Sequence, residues 1–434
     1  MFIDCSRLYQ KSIVILVLCC AYATLHAQQP IQRDTVIFSL DEVDKNFLDS
    51  NLLLLAAHYN IDAQKALIHQ TKLWNNPVLV TDQVIAADGE AFPYGKNPDG
   101  TYSGQYFIQV QQLISTAGKR GKLIDLTTTN ARISELQLQD VLRNLRIQLH
   151  TDYYTLIQQT SILGIYNNQF DQLSRLLEGM QAQYKAGNIA LKDLLRVQAL
   201  VISLRQDINE VNRNIEDAES DLKALLRAGN NYFIIPADQN NNIDISINLT
   251  PELCIDSARK NNPYYLLQLS QLLYQQQNLV YQKALRAPDV TVGPEFDRNS
   301  NFAPNYFGLT ISLPLPILNK NQGNIESAAF AVKQQEALSG NAEVQLTNNV
   351  LRAYSKLMLL MQQNNAVQKD FYKDYEKMFD NMLQSYQHKQ ISLLEFLDFF
   401  DAYKEAHLKL LQQQLDLQLS KEELNYETGT VIIP

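Results

Sequence analysis

The chain has 434 residues, 46% hydrophobic and 19% charged, with a formal net charge of −9 and a pI near 5.3. Lys and Arg are spread along it rather than gathered, which argues against nucleic-acid binding. After residue 27 no stretch of about 20 residues lacks polar groups, which excludes a helical membrane protein. A mature chain that crosses a bilayer must then use strands, because only helices and closed barrels satisfy every backbone group in lipid.

Residues 1–27 hold Arg7 and Lys11, then the apolar run from Ser12 to Leu25, then a small residue, Ala27, before Gln28. This predicts a signal peptide over 1–27 and a mature chain over 28–434. The alternative is an uncleaved anchor. Cys19 and Cys20 raise the question of lipidation, but Leu18 precedes Cys19 where a lipobox needs a small residue. With the signal removed, Cys254 is the only cysteine left, so no intramolecular disulfide is expected. An export signal without cysteine staples fits a Gram-negative envelope protein held together by packing.

The first strand candidates are PVLVTDQVIA from Pro77 and Tyr106–Ile114. In the second, Tyr106, Ile108, Val110, Gln112 and Ile114 share one face, and Phe107, Gln109, Gln111 and Leu113 the other. From Lys119 to about Tyr184 there is no Pro, so one long helix is predicted, reaching roughly 100 Å if continuous. KAGN, Lys185 to Asn188, reads as a helix-to-helix turn with Gly187 as a left-handed C′ residue. The next helix, 188–228, carries a strict seam: Leu194, Val197, Val201, Leu204, Ile208, Val211, Ile215, Ala218, Leu222 and Leu225. Steps of three and four alternate throughout, which predicts left-handed coiled-coil packing.

The pattern then repeats. PDVTVGPEF from Pro288 precedes Gly308–Leu315, where Leu309, Ile311, Leu313 and Leu315 alternate with Gly308, Thr310, Ser312 and Pro314. YFIQVQQL from Tyr106 returns as YFGLTISL from Tyr306, an offset of 200. QYKAGNIALKDLL and SYQHKQISLLEFL are offset by 202 between Tyr184 and Tyr386. Lys320 to Tyr386 lacks Pro, HKQ at His388 to Gln390 forms the second turn, and a last helix follows. Its seam holds Leu393, Phe396, Phe400, Tyr403, Leu410, Leu417 and Leu424. His407, Gln414 and Lys421 interrupt it, which predicts a face toward water or a movable neighbour, or plain wear on a solvated helix. A fixed period this long makes each copy half of a molecule, about 39–230 and 249–428.

Strand pairs hung between long helices point to a barrel standing on a helical tube. Tyr94, Tyr102, Tyr106, Phe296, Phe302 and Tyr306 cluster near strand ends, where an aromatic girdle sits. The competing reading is two soluble hairpins with core aromatics. Four strands cannot close a membrane barrel, which begins at about eight strands, so several chains must share one: a trimer gives twelve and a dimer eight. The histidines show no HExxH spacing. No CxxC, GxSxG or phosphate-binding loop occurs, so no enzyme, cofactor or resident metal is expected.

The chain resembles the outer-membrane efflux channel family typified by TolC. The likeness rests on the twofold repeat, the strand pairs, the tip at Gly187 to Leu195, and LPLPILNKNQGNIESA from Leu313 to Ala328. That last segment most resembles the heavy-metal cation branch of cobalt-zinc-cadmium type. The resemblance implies a mainly α fold with a β-barrel portion. Long antiparallel coiled-coil helices would form a trimeric periplasmic tunnel, and four strands per chain would build a shared 12-stranded outer-membrane barrel. It further implies a passive export duct that docks with a periplasmic adaptor and an inner-membrane RND-type pump and exports heavy-metal cations. A drug or small-molecule duct, or a soluble periplasmic adaptor or scaffold, is the alternative. Glu395 and Asp398 match the acidic positions that narrow the family's periplasmic entrance, with Asp193 their first-repeat counterpart. The alternative role for such acids is to complement a helix dipole. The tips that meet the adaptor correspond to Gly187 and Asn188 in the first repeat and Lys389 and Gln390 in the second, where Lys389 replaces the glycine.

Overall fold

The computed structural model describes residues 34–433, apart from 88, 97, 101, 230–231, 238–248, 301 and 367–368. The expected signal peptide, with Cys19 and Cys20, lies outside the described residues.

The chain opens with strand β1 (Asp34–Phe38) and helices α1 (Leu40–Ser50) and α2 (Leu52–Lys72). Strand β2 (Val78–Gln83) follows, then four two-residue strands, β3 (Ala86–Ala87), β4 (Glu90–Ala91), β5 (Gly95–Lys96) and β6 (Tyr102–Ser103), and then β7 (Tyr106–Ile114). Helices α3 (Lys119–Lys185) and α4 (Leu191–Leu226) lead to β8 (Tyr232–Pro236). The second half runs α5 (Pro251–Asn261), α6 (Pro263–Leu285), β9 (Val290–Asn299), β10 (Pro304–Ser312), α7 (Gln322–Ala366), α8 (Lys369–Gln387) and α9 (Leu393–Thr428). Two shorter helices, two long strands and then long helices thus occur in both halves. Even the joint between the short helices recurs. Asn51 caps α2 by accepting from the Leu53 and Leu54 amides, and Asn262 caps α6 by accepting from Tyr265.

Two compact units are present. Of the described residues, the first takes those within 1–50, 151–241 and 382–404, and the second those within 51–150, 242–381 and 405–434.

In the first unit, β1 and β8 pair in parallel. Glu219 on α4 is almost fully buried and accepts from the Ile234 amide at 2.8 Å, while Lys223 holds it at 2.8 Å. A buried carboxylate needs such donors. The expected α4 seam is the buried face: nine of its ten positions are buried, and Ile208 is half-buried. Tyr386 stacks on Phe396 with centroids 5.5 Å apart, and Phe400 packs tilted against Phe396 at 6.5 Å.

In the second unit, Cys254 and Ala258 of α5, Val350, Ala353 and Leu357 of α7, and Leu417 and Leu424 of α9 share one core. Burial pushes the Cys254 thiol pKa up, followed by the charge of Glu252. The strands form one antiparallel sheet in the order β10-β9-β7-β2. Both expected hairpins are present, and β7 joins β9 to merge them. β10 stops at Ser312, since Pro314 and Pro316 have no amide to give a ladder.

One expectation is corrected here. Of the polar residues on the α9 seam, His407 does not face water, being only 5% exposed, while Gln414 and Lys421 are half-buried. Burial of His407 rules out a solvated face at that position and is compatible with the expected packing against a neighbour.

Candidate channel face and helix-turn tips

The register sorts the sheet into two unlike faces. Opposite partners point the same way, so Phe307, Leu309 and Ile311 of β10 align with Phe296, Pro294 and Val292 of β9, Ile108 and Val110 of β7, and Leu79 of β2. This apolar face is solvent-exposed over Phe307, Leu309, Ile311, Ile108, Val110 and Leu79. Exposed apolar area of that extent marks an interaction surface, for lipid or for another protein face.

The other face is polar and internally bonded. Gln109 is buried and donates to Glu295 at 2.9 Å, Gln111 donates to Gln109 at 2.6 Å, and Thr310 donates to the same Glu295 carboxylate. Gln105 donates to Asp297 at 3.0 Å. Gly293 makes room for this row, because a Cβ there would sit 3.2 Å from Gln111 and from the Val110 carbonyl. Sequence reading found Thr310, Ser312 and Gln109 but not Glu295 and Asp297. Their signal was the same alternation, in Thr291, Gly293, Glu295 and Asp297, within a segment read only as a partner strand.

The expected aromatic girdle divides between the faces. Tyr106 and Phe296 pack at 5.9 Å on the apolar face. Tyr306 lies opposite Asp297 on the polar face, with its ring over Gly308 and Phe302 edge-on at 6.3 Å. Tyr94 donates to the Gln105 carbonyl at 3.3 Å, and the Tyr102 side chain lies outside what is described.

The two tips are built alike. The Gly187 amide donates to Tyr184 and the Asn188 amide to Gln183, both at 2.9 Å. The Lys389 amide donates to Tyr386 at 2.9 Å and the Gln390 amide to Ser385 at 2.8 Å. Each is a Schellman closure, with φ of +78° at Gly187 and +62° at Lys389. Lys389 therefore occupies the glycine position in conformation as well as in sequence.

The acids near the tips differ in setting. Glu395 is exposed and closes a capping box: it accepts from the Ser392 amide at 2.7 Å, and its own amide donates to the Ser392 hydroxyl at 3.2 Å. The backbone bond from Ser392, then the Ser392 hydroxyl, hold its pKa below the usual carboxylate value. Asp398 is exposed one turn further along α9. Asp193 is half-buried in the first turn of α4, near enough to Tyr386 to help burial raise that phenol's pKa. Among the described residues no three His, Cys, Asp or Glu side chains form a group able to hold a metal, and no helix is long and apolar enough to cross a membrane.

The family model described as outer membrane efflux protein matches residues 45–227 and 254–430. The chain belongs to the outer membrane efflux protein family. Members are channels and not enzymes, and they sit in the Gram-negative cell outer membrane and extend into the periplasm. The chain is 22% identical over 364 residues to the cobalt-zinc-cadmium resistance protein CzcC of Cupriavidus metallidurans, covering 83% of each. Its fold is similar to that of CusC, from a study of folding and transmembrane channel formation. That match has a TM-score of 0.74 at 16% identity and covers 93% of this chain and 95% of that one. The CmeC outer membrane channel of Campylobacter jejuni matches with a TM-score of 0.72 at 14% identity, over 90% and 86%. The resemblance to the efflux family is thereby established, and the soluble scaffold alternative falls.

Proposed function

We propose that the chain is the outer-membrane duct of a tripartite efflux system. Three copies would close one 12-stranded barrel, four strands from each, and the duct would dock with a periplasmic adaptor and an inner-membrane RND-type pump. The observation that carries this is the sheet itself. One face is apolar and exposed, the other is a bonded polar row, and β2 and β10 each have a single strand neighbour among the described residues. An open edge in lipid leaves amides and carbonyls unsatisfied, so closure with further copies is required. In this reading residues 28–434 form one channel of two repeats, about 39–230 and 249–428, behind a signal peptide at 1–27.

The cargo in this reading is heavy-metal cations. CzcC is named for cobalt, zinc and cadmium resistance, and its similarity spans most of both chains. Glu395, Asp398 and Asp193 would ring the periplasmic entrance, since threefold symmetry triples each carboxylate and like charges gathered closely hold cations. Gly187, Asn188, Lys389 and Gln390 would meet the adaptor. Native mass spectrometry in detergent is expected to give three chains per particle, and a stable monomer with unchanged β content would sink the barrel. Deleting the gene should lower cobalt, zinc or cadmium tolerance. Unchanged metal tolerance with lost drug tolerance would move the cargo to small molecules.

A further inference from the structure

We propose that a cavity at the helix-side end of the sheet binds the phosphate of a phospholipid headgroup in the periplasmic leaflet. The cavity holds about 710 Å³. Its walls come from the loop after α2, the end of β7, the start of α3 and the C-terminal part of α6. Trp74, the only tryptophan in the chain, stands at its rim and is 64% exposed. The Arg120 guanidinium lies 4.4 Å from the centre of that ring, and Nη2 donates to the Lys72 carbonyl. Arg120 Nε is buried and has no hydrogen-bond partner among the described residues. Lys119 is buried beside it and bonds Asp289 at 2.7 Å. The lining holds two cations and one carboxylate, so the pocket carries one surplus positive charge.

A phosphate answers that charge. Its oxygens suit a guanidinium better than any other common anion except a carboxylate, and bonds between two charged groups are the strong ones. Lipid is favoured over free phosphate by the rest of the wall. Leu73, Leu113, Leu123, Ile124 and Leu285 also line the cavity, which suits glycerol and the first acyl carbons. Position agrees as well, and here the inference rests on the barrel reading. Asn75 precedes β2, Ser115 follows β7 and Asp289 precedes β9, so the cavity lies where the exposed apolar face ends. Tryptophan favours that boundary between hydrocarbon and water.

Because Trp74 is the sole tryptophan, emission excited at the red edge of the indole band, where the 22 tyrosines barely absorb, reads this cavity alone. The detergent-purified protein is titrated with dihexanoyl-phosphatidylglycerol, dihexanoylglycerol and inorganic phosphate. The expected result is a saturable emission shift with the phospholipid only. Arg120→Gln should weaken it by about tenfold, the loss of one charge-assisted bond, and Arg120→Lys by less. An equal shift with inorganic phosphate would make this a simple anion site and overturn the lipid assignment. No saturable shift, or an unchanged one in Arg120→Gln, would overturn the site. Flotation with phosphatidylcholine vesicles separates the two levels. Insertion with an unresponsive Trp74 overturns this proposal alone, and failure to insert overturns the barrel with it.

Discussion

Lys389 holds a left-handed backbone conformation that Gly187 holds at the matching tip. Only glycine adopts it without a Cβ clash, so the two tips carry different intrinsic costs. Gly187→Ala should destabilise the first tip by about 1 kcal/mol, whereas Lys389→Gly should be neutral or stabilising at the second. Hydrogen exchange at the Asn188 and Gln390 amides separates these outcomes, and faster exchange at both tips would contradict the argument. Asp152 offers a pH test at the same scale. Burial, then the charge of Asp221, pushes its pKa up to about 6 from 3.8, and Oδ2 is buried with no partner among the described residues. The folded state therefore holds its proton more tightly than the unfolded chain. Stability falls as pH rises through that window, and the loss is complete above it. Asp152→Asn should raise the melting temperature at pH 7.5 and not at pH 3.5; equal shifts would rule out this cause. The tip glycine was legible because the left-handed position is a local property of Lys185–Asn188. Asp152 was not, because its burial depends on α4 arriving against α3.

At the scale of elements, periodicity carried far. The α4 seam, both strand pairs and the long α3 were readable because each buries or exposes whole faces at a fixed period. The parallel pair β1–β8 was not, since DTVIF and YFIIP lie far apart in the chain with no turn signal to link them. The joining of β7 to β9 was likewise hidden, as nothing local to a hairpin states which edge it offers. The α9 seam misled at His407 for the opposite reason, that residue being buried among neighbours that the helix alone does not reveal. The sheet yields a paired test. Ile311 is exposed on the apolar face and Thr310 bonds Glu295 on the polar face. Arg at Ile311 should cost roughly 2–4 kcal/mol in a bilayer, while Arg at Thr310 should mainly change conductance. Folding measured in vesicles decides it, and equal stability of both variants would show the faces to be misassigned.

At the scale of the whole molecule, the proposed gate would exist only once copies assemble, because each chain supplies single carboxylates that threefold symmetry would turn into rings. Glu395 and Asp398 are not equivalent candidates. Glu395 already accepts from Ser392 as a helix cap, so part of its charge is engaged locally. Asp398 is exposed and lies one turn beyond the cap. If a ring narrows the entrance, Asp398→Asn should reduce cation selectivity and weaken block by divalent cations more than Glu395→Gln. The Gln variant retains a capping side chain, so neither change should disturb folding. The double variant should show the largest loss. Single-channel recording, with divalent cations added on the side facing the helix turns, measures all three. A larger effect from Glu395→Gln would make the capping residue the narrow point. Unaltered selectivity in the double variant would place the constriction away from α9, nearest to hand at the turn of His388 to Gln390.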